Sequence, residues 1–247
     1  MQATLPVRAW RWAVFAAEAL AAALSPSTYT APVRALAARQ LCAAAWDVLP
    51  GFVASCAVLG LLLIRIIDAT ARDFGLATHS LDLYLRLLVL ELLPMLVALF
   101  VAVRSGAALG TEVALLRVSG ALDRGNDPLR AELLPRGIGV AAAVVALTAI
   151  GCALALAVAY FGLYGFSPWG HGAFARAVGN AFAPVVMAGF ALKVAFFAVA
   201  VAVIPVAAAA GGPREMRAVP DAAPRGLVGV FLFLALAEGA SIGLQYA

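Results

Sequence analysis

The chain has 247 residues, of which 65% are hydrophobic and only 12% are charged, and its mean hydropathy is +1.01. Soluble domains carry about 25% charged residues, so the composition excludes a soluble globular protein and predicts one membrane domain. The net charge of +4 does not indicate nucleic-acid binding, because no basic run is interleaved with aromatic residues. The widely spaced Cys42, Cys56 and Cys152 form no metal-binding or disulfide pattern.

Residues 1–47 are predicted to form amphipathic helices that lie on the membrane surface. Residues 1–25 combine arginines with Trp10 and Trp12, and this stretch is too short and too amphipathic for a span. A second amphipathic stretch follows at residues 33–46. A cleavable signal peptide is an alternative for the first stretch, because small alanines stand near its end.

Five apolar stretches follow, each with the roughly 18 or more residues that a membrane-spanning helix needs. They predict an all-α integral membrane protein with five spans. The stretches are residues 48–67, 83–109, 137–163, 182–210 and 226–246.

The distribution of arginines predicts the orientation of these spans. Cytoplasmic loops of membrane proteins collect basic residues, and most arginines fall on one side: Arg8, Arg11, Arg34, Arg39, Arg117, Arg124, Arg130, Arg136, Arg214, Arg217 and Arg225. Mainly Arg72 and Arg176 fall on the other. We therefore expect a cytoplasmic N-terminus and a C-terminus on the outer side. Because no internal repeat is visible, an inverted-repeat secondary transporter is disfavoured.

Three charged side chains inside the spans are the leading functional candidates: Glu91, Lys193 and Glu238. A charge at the centre of the bilayer costs about 2.5–3.5 kcal/mol, so each should have a partner or line a wet cavity. Lys193, the only lysine in the chain, is predicted to pair with Glu91 or Glu238. Such a pair could form a polar patch beside a lipid or ion path, or a structural ion pair that keeps helices in register.

Local features of the first two spans predict packing and pairing. Pro94 removes a backbone hydrogen bond and permits a kink, with tolerated curvature and a gating role both open. Gly106 and Gly110 form a small-xxx-small face for packing against a neighbouring helix or a second copy. Arg65 and Asp68 are three residues apart and are predicted to pair at the end of the first span.

The most charged part of the chain, residues 111–136, separates the second and third spans. It predicts a short cytoplasmic helix with charges on one face and Leu115, Leu116, Val118 and Leu122 on another. Such a helix could dock on a soluble partner, with the apolar side chains in a groove and the charges setting orientation. A helix that lies on the membrane surface is the alternative.

Several motifs typical of catalytic sites are missing from the chain. A phosphate-binding loop needs G-x-x-x-x-G-K-[ST], whereas the only lysine follows Ala191-Leu192 within a span. His79 and His171 lie far apart with no cysteine beside them, which argues against zinc. No H-E-x-x-H occurs either. We therefore expect no catalytic residue, cofactor or metal in this chain.

A series of short motifs resembles the MlaE/YrbE permease family over residues 30–246. In order they are Glu91-Leu92-Leu93-Pro94, Arg104-Ser105-Gly106-Ala107, Thr111-Glu112, Arg117-Val118, Asp127-Pro128-Leu129 and Pro135-Arg136. Lys193 and Glu238 also fit the family pattern. Each motif is short, but their order and spacing together are fairly specific.

The resemblance implies an inner-membrane permease subunit of an ABC transporter that moves phospholipid or another hydrophobic molecule. It implies a homodimer, with amphipathic interfacial helices at residues 1–47 and a five-span permease domain at residues 48–247. It also implies a cytoplasmic ATPase that binds ATP and Mg, an Mce-type lipid-binding protein on the outer side, and allows a small cytoplasmic accessory protein. The C-terminus would be periplasmic.

The resemblance also implies roles for individual residues. Glu91, Lys193 and Glu238 would lie near the lipid pocket. A coupling helix at about residues 111–123 would contact the ATPase through Glu112, Leu115, Leu116, Arg117 and Asp123. Arg104 belongs with Pro94, Gly106 and Gly110 to the packing motif of the second span.

Departures from the family pattern indicate a divergent member. Gly120 weakens the predicted coupling helix by about 1 kcal/mol relative to Ala, and Leu93 stands where the family has Gly. The main alternative is a membrane scaffold or assembly protein that does not transport. An intramembrane enzyme is a further alternative, but no nucleophile–base or metal constellation is visible in the spans.

Overall fold

A computed structural model describes residues 30–76, 79–120, 133–210, 216 and 219–246, together with isolated positions 17, 21 and 25. The described residues form helices and turns, with no strand among them. The helices are α1 (Ala31–Asp73), α2 (Ser80–Val118), α3 (Leu134–Tyr164), α4 (His171–Ala181), α5 (Pro184–Ala210) and α6 (Ala222–Tyr246). Apart from those three positions, the predicted surface helix at residues 1–25 lies outside the described part of the chain.

Five of these helices are long and apolar enough to cross a membrane: α1, α2, α3, α5 and α6. The prediction of an all-α membrane protein with five spans is therefore confirmed for the described residues. Long apolar runs predict spans well because a backbone in lipid must satisfy its hydrogen bonds within its own helix.

The first helix is longer than the sequence predicted. Residues 33–46 and 48–67 were expected as two helices, but α1 runs unbroken through both, and Pro50 lies inside it. Its 43 residues correspond to about 65 Å at 1.5 Å per residue, roughly twice the thickness of a bilayer core. A proline costs one backbone hydrogen bond and does not by itself end a helix in a membrane protein.

The second helix also continues past its predicted end. The span at 83–109 and the first part of the expected coupling helix form one helix, which ends at Val118. Gly120 has a φ of 71° and its N–H bonds to the carbonyl of Arg117, an arrangement that stops a helix at a glycine. Residues 111–118 of the predicted separate helix are thus the last two turns of α2. Asp123, also part of the predicted helix, lies outside the described residues.

Helix α4 is an element that the sequence analysis did not assign. It follows a turn of 3₁₀ helix at Pro168–Gly170 and packs against the start of α2. Its exposed face carries small and polar residues, including Arg176. Such a short helix has too few apolar residues to be recognised as a span.

The chain divides into two compact units. The first consists of Met1–Asp47, Ala98–Val144 and Ala198–Ala247, and the second of Val48–Val97 and Val145–Phe197. Several helices run through both units. Each unit has its own tightly packed contacts.

The second unit is built on close contacts between α1, α2 and α3. A Cβ atom added to Gly151 would lie 2.8 Å from Phe52 Cζ, and one added to Gly162 would lie 2.8 Å from Ile64 Cγ2. These two contacts place α1 and α3 parallel in this unit. Tyr84 of α2 is fully buried, and its hydroxyl donates to the carbonyl of Ala155 at 3.2 Å.

The first unit centres on Pro205 of α5. A Cβ atom added to Gly226 of α6 would lie 3.0 Å from Pro205 Cα, and one added to Gly106 of α2 would lie 3.5 Å from Pro205 Cγ. Leu134, at the start of α3, packs against Ile138 and Val203. Small residues on α2 and α6 therefore let three helices approach at this proline.

The predicted pair between Arg65 and Asp68 is wrong. Asp68 bonds instead to Arg72, four residues further along α1. A second pair of the same spacing joins Asp82 and Arg86 at 3.0 Å in α2. A spacing of three or of four residues puts two side chains on one helix face. Side-chain rotamers and surroundings therefore decide which arginine Asp68 bonds.

Candidate functional site

Lys193 and Glu91 form an ion pair within the second unit. Lys193 of α5 donates a hydrogen bond from Nζ to Glu91 Oε2 of α2. The Lys193 side chain is only 11% exposed and that of Glu91 only 21%. The Nζ atom also lies 5.9 Å from the ring centroid of Phe197, one turn further along α5, which is within cation–π range.

The structure thus selects Glu91 from the two carboxylates that the sequence left open. Glu238 lies in α6, in the first unit, with its Oε2 atom buried. Pairing lowers the cost of placing two charges among apolar residues. The pair provides both a cation and an anion at one place inside the spans.

The backbone around Glu91 departs from regular α-helix. Residues Leu85–Leu92 form a π-helical segment, and Pro94 follows in the first turn of the next α-helical segment. Pro94 has no N–H to give to the preceding turn, and a π-helical turn is one way to accommodate the missing bond. A kink was predicted at Pro94. The irregular backbone lies just before Pro94, in the π-helical turn that carries Glu91.

A second π-helical segment, Ala102–Gly106, carries Arg104. Arg104 forms an ion pair with Asp47 of α1 at 3.6 Å, with both side chains mostly exposed. Ser105 donates to the carbonyl of Ala44 at 3.5 Å. These contacts join α2 to α1 in the first unit.

The small residues Gly106 and Gly110 pack against α5 and α6 of the same chain. Cβ atoms added to them would lie 3.5–3.8 Å from Pro205, and one added to Gly110 would lie 3.8 Å from the carbonyl of Ala222. Among the alternatives for this face, the structure shows packing within one chain. Contact with a second copy stays a prediction.

An open pocket of about 420 Å³ lies at the C-terminal end of α2. It is lined by Glu112, Leu115, Leu116, Val118, Ser119, Arg136 and Met216. Arg136 of α3 pairs with Glu112 at 3.4 Å. The pocket therefore has an apolar lining with one ion pair in its wall.

The pocket contains three of the five residues predicted for partner coupling, Glu112, Leu115 and Leu116. Arg117 is partly buried beside it and does not line it. Met216 was not predicted at this site, because the loop between α5 and α6 is distant from α2 in the chain. Arg136 was visible only as part of the Pro135-Arg136 motif.

Comparison with protein families decides the classification. The model of the family described as Permease MlaE matches residues 37–241. The chain belongs to the MlaE permease family. A search of curated proteins finds no match to this chain.

Membership of the MlaE family agrees with the architecture of the chain. It makes this protein a permease of the ABC-transporter type and a multi-pass membrane protein. The matched region includes the Glu91–Lys193 ion pair and the pocket at the end of α2. In this MlaE permease the ion pair lies on α2 and α5, and most of the pocket lining lies on α2.

Proposed function

We propose that the chain is the transmembrane permease subunit of an ABC transporter that moves phospholipid or another hydrophobic molecule across the cell envelope. A separate cytoplasmic ATPase binds ATP and Mg and drives the movement. The match to the MlaE family over residues 37–241 carries this proposal. The intramembrane ion pair and the pocket at the end of α2 support it, because a permease needs a cargo path and a docking site for its ATPase.

The Glu91–Lys193 pair is the proposed point of contact with the lipid headgroup. An ammonium group binds phosphate as a point charge, and a phospholipid brings a phosphate into an otherwise apolar path. Low exposure of both side chains strengthens their electrostatic interactions relative to water. Glu238 of α6 is proposed to line the same path.

The pocket at the end of α2 is the proposed docking site for the ATPase. Leu115, Leu116 and Val118 offer apolar surface, and the Glu112–Arg136 pair fixes the orientation of a partner. Arg117 and Asp123 are proposed to complete the contact. Coupling to ATP hydrolysis requires the partner to bind two permease states with different affinities, and α2 leads directly from this pocket to Glu91.

The proposed assembly is a homodimer in the bacterial inner membrane with a cytoplasmic N-terminus and a periplasmic C-terminus. In the most apolar 18-residue stretch of α1 only 22% is buried, and the same share is buried in that of α6. Both helices therefore have apolar surface for lipid or a second copy. An Mce-type lipid-binding protein on the outer side would exchange the cargo. A small cytoplasmic accessory protein is a further proposed partner.

The test begins with gentle purification of the chain from its own host, followed by mass spectrometry of co-purified proteins and lipids. We expect an ATPase, an Mce-type protein and phospholipid in one particle. The purified complex is then reconstituted in vesicles, and ATP-dependent movement of a fluorescent phospholipid is measured. A chain that carries no ATPase, under conditions that keep other membrane complexes intact, would contradict the transporter and favour the scaffold.

A further inference from the structure

A group of large apolar side chains projects from one end of the second unit. Phe74 and Leu76 follow α1, Phe166 and Trp169 follow α3, and Val185 begins α5. We call these five residues the aromatic rim. Phe166 and Trp169 are each 93% exposed, Val185 84% and Phe74 77%.

The contacts within the second unit place the rim residues at the same end. The contacts of Gly151 with Phe52 and of Gly162 with Ile64 show that α1 and α3 run in the same direction. Beyond the second contact α3 continues to Tyr164 and α1 to Asp73, so both finish at the same end of the unit and α1 extends about 10 Å further. Helix α4, which follows Trp169, packs against the start of α2. Helix α5 begins at Pro184, three residues after α4 ends at Ala181, so its start also lies near the start of α2.

The turn that carries Phe166 and Trp169 is held by several hydrogen bonds. Gly165 has a φ of 61° and bonds to the carbonyl of Phe161 at 3.1 Å. Tyr160 donates from its hydroxyl to the carbonyl of Ser167 at 2.7 Å. Pro168 then opens one turn of 3₁₀ helix. The aromatic side chains are therefore presented by an ordered turn and not by a loose loop.

The rim is continuous with apolar surface on the spans. The Phe166 ring lies 5.1 Å from that of Phe161, a residue of α3 that is itself half exposed. Val185 leads into the exposed Leu192 and Phe196 of α5. The rim thus continues the exposed apolar surface of α3 and α5, two of the helices that are long and apolar enough to cross a membrane.

Two ion pairs lie near the rim, together with the exposed Asp73 and Arg176. Asp68 pairs with Arg72 and Asp82 pairs with Arg86, and Arg176 bonds to the carbonyl of Gly172 in its own helix. Apolar rings beside paired charges match the boundary between acyl chains and headgroups, where amphipathic aromatic side chains collect.

We infer that the aromatic rim is a lipid-binding surface that inserts Phe166 and Trp169 into the headgroup–acyl boundary of the bilayer. The occupant is the membrane surface itself, as distinct from the cargo lipid. This goes beyond the proposed function and does not depend on it, since the rim lies at an end of the unit and requires neither an ATPase nor transport. Insertion would fix the height of this end of the unit in the leaflet.

The test places a single tryptophan at the rim of the full chain. Trp10→Phe, Trp12→Phe and Trp46→Phe together leave Trp169 as the only indole. The protein is reconstituted in phosphatidylcholine vesicles whose acyl chains carry bromine near the headgroup or near the bilayer centre. We expect a greater loss of Trp169 emission with the shallow bromine than with the deep one, and little loss with aqueous iodide.

Two other outcomes would overturn the inference. Quenching by iodide with no quenching by either brominated lipid would place Trp169 in water. Protection from iodide and from both lipids would mean that protein covers the rim, whether a second copy or a partner.

A substitution at Phe166 tests whether this second ring contributes to the insertion of the rim. In the single-tryptophan background, Phe166→Asp should shift Trp169 emission to longer wavelength and weaken quenching by the shallow lipid, because a carboxylate resists insertion. Ala173→Asp, on the exposed face of α4, is the matched control and should leave both signals unchanged. Equal effects of the two substitutions would overturn the role of the rim.

Discussion

Gly139 of α3 lies so close to Gln40 of α1 that a Cβ atom on the glycine would stand 2.6 Å from Gln40 Cβ. The same atom would lie 2.7 Å from the carbonyl oxygen of Ala37. Two residues earlier, a Cβ on Gly137 would have its nearest neighbour, Ala202 Cβ, at 3.9 Å. The two glycines therefore differ in whether any side chain can be accommodated.

We predict that Gly139→Ala destabilises the protein by about 1–3 kcal/mol, the usual cost of overpacking. The backbone of α1 is one of the crowded groups, so a rotamer change cannot relieve the contact. Gly137→Ala is the matched control and should change the unfolding free energy by less than about 0.5 kcal/mol. The measurement is equilibrium unfolding in detergent micelles, and equal stability of the two variants would contradict the close approach.

A second prediction concerns the Lys193–Glu91 ion pair. Lys193→Ala leaves Glu91 with little exposure and without its partner on α5, which should cost about 3 kcal/mol of stability. Combining Lys193→Met with Glu91→Leu removes both charges and should recover most of that stability. If the pair contacts lipid headgroups, the stable double variant should still fail to move phospholipid in reconstituted vesicles.

Transport at the wild-type rate by the double variant would show that the pair is structural only. The headgroup role would be favoured if the Lys193→Ala variant folds and assembles normally but loses transport. The readouts are the unfolding free energy, recovery of the assembled complex and the rate of lipid movement, all measured on the same preparations.

The pocket at the end of α2 gives a third prediction. Leu116→Asp places a carboxylate in an apolar lining, and burying an unpaired charge there costs several kcal/mol. Binding of the ATPase should weaken by about 100-fold or more, since each 1.4 kcal/mol is about tenfold in affinity. Leu116→Met keeps the volume and the apolar character, so it should retain the ATPase. Co-purification of the ATPase measures both, and an intact complex with Leu116→Asp would remove the pocket from the docking site.

A fourth prediction rests on Tyr84, whose hydroxyl bonds to Ala155 and crowds Gly60. A Cβ atom on Gly60 would lie 3.0 Å from Tyr84 Oη. Tyr84→Phe should cost about 1 kcal/mol through the lost interhelical hydrogen bond. Gly60→Ala should be destabilising in the wild-type background and less so with Tyr84→Phe, because the hydroxyl is then absent. Strict additivity of the two changes in unfolding free energy would contradict this contact.

The helical architecture could be predicted from the sequence because hydropathy is a local property. Each span is a long apolar run, and lipid requires such a run to be helical whatever its neighbours are. The family was also recognisable, because its motifs are short strings with a fixed order. The ends of α1 and α2 were less predictable, since Pro50 is tolerated inside α1 and the polar residues after Gly110 continue α2 as one helix.

The candidate site was only partly predictable. The charges at Glu91 and Lys193 stood out in apolar surroundings, but the sequence does not show which carboxylate lies within bonding distance of Lys193. Met216 lines the pocket from a loop that is distant in the sequence, and no sequence motif marks it as a site residue. Gly106 and Gly110 were recognised by spacing, whereas Gly139, Gly151 and Gly226 have tighter contacts that no spacing marks.

The sequence by itself thus determined that this protein is a helical membrane permease, because apolar length and family motifs are properties of the chain. Only the tertiary structure decided which acid pairs with Lys193, which glycines admit no side chain, and which residues close the pocket at the end of α2. These depend on distances between helices that are far apart in sequence, and such distances are set by the packing of whole faces against one another.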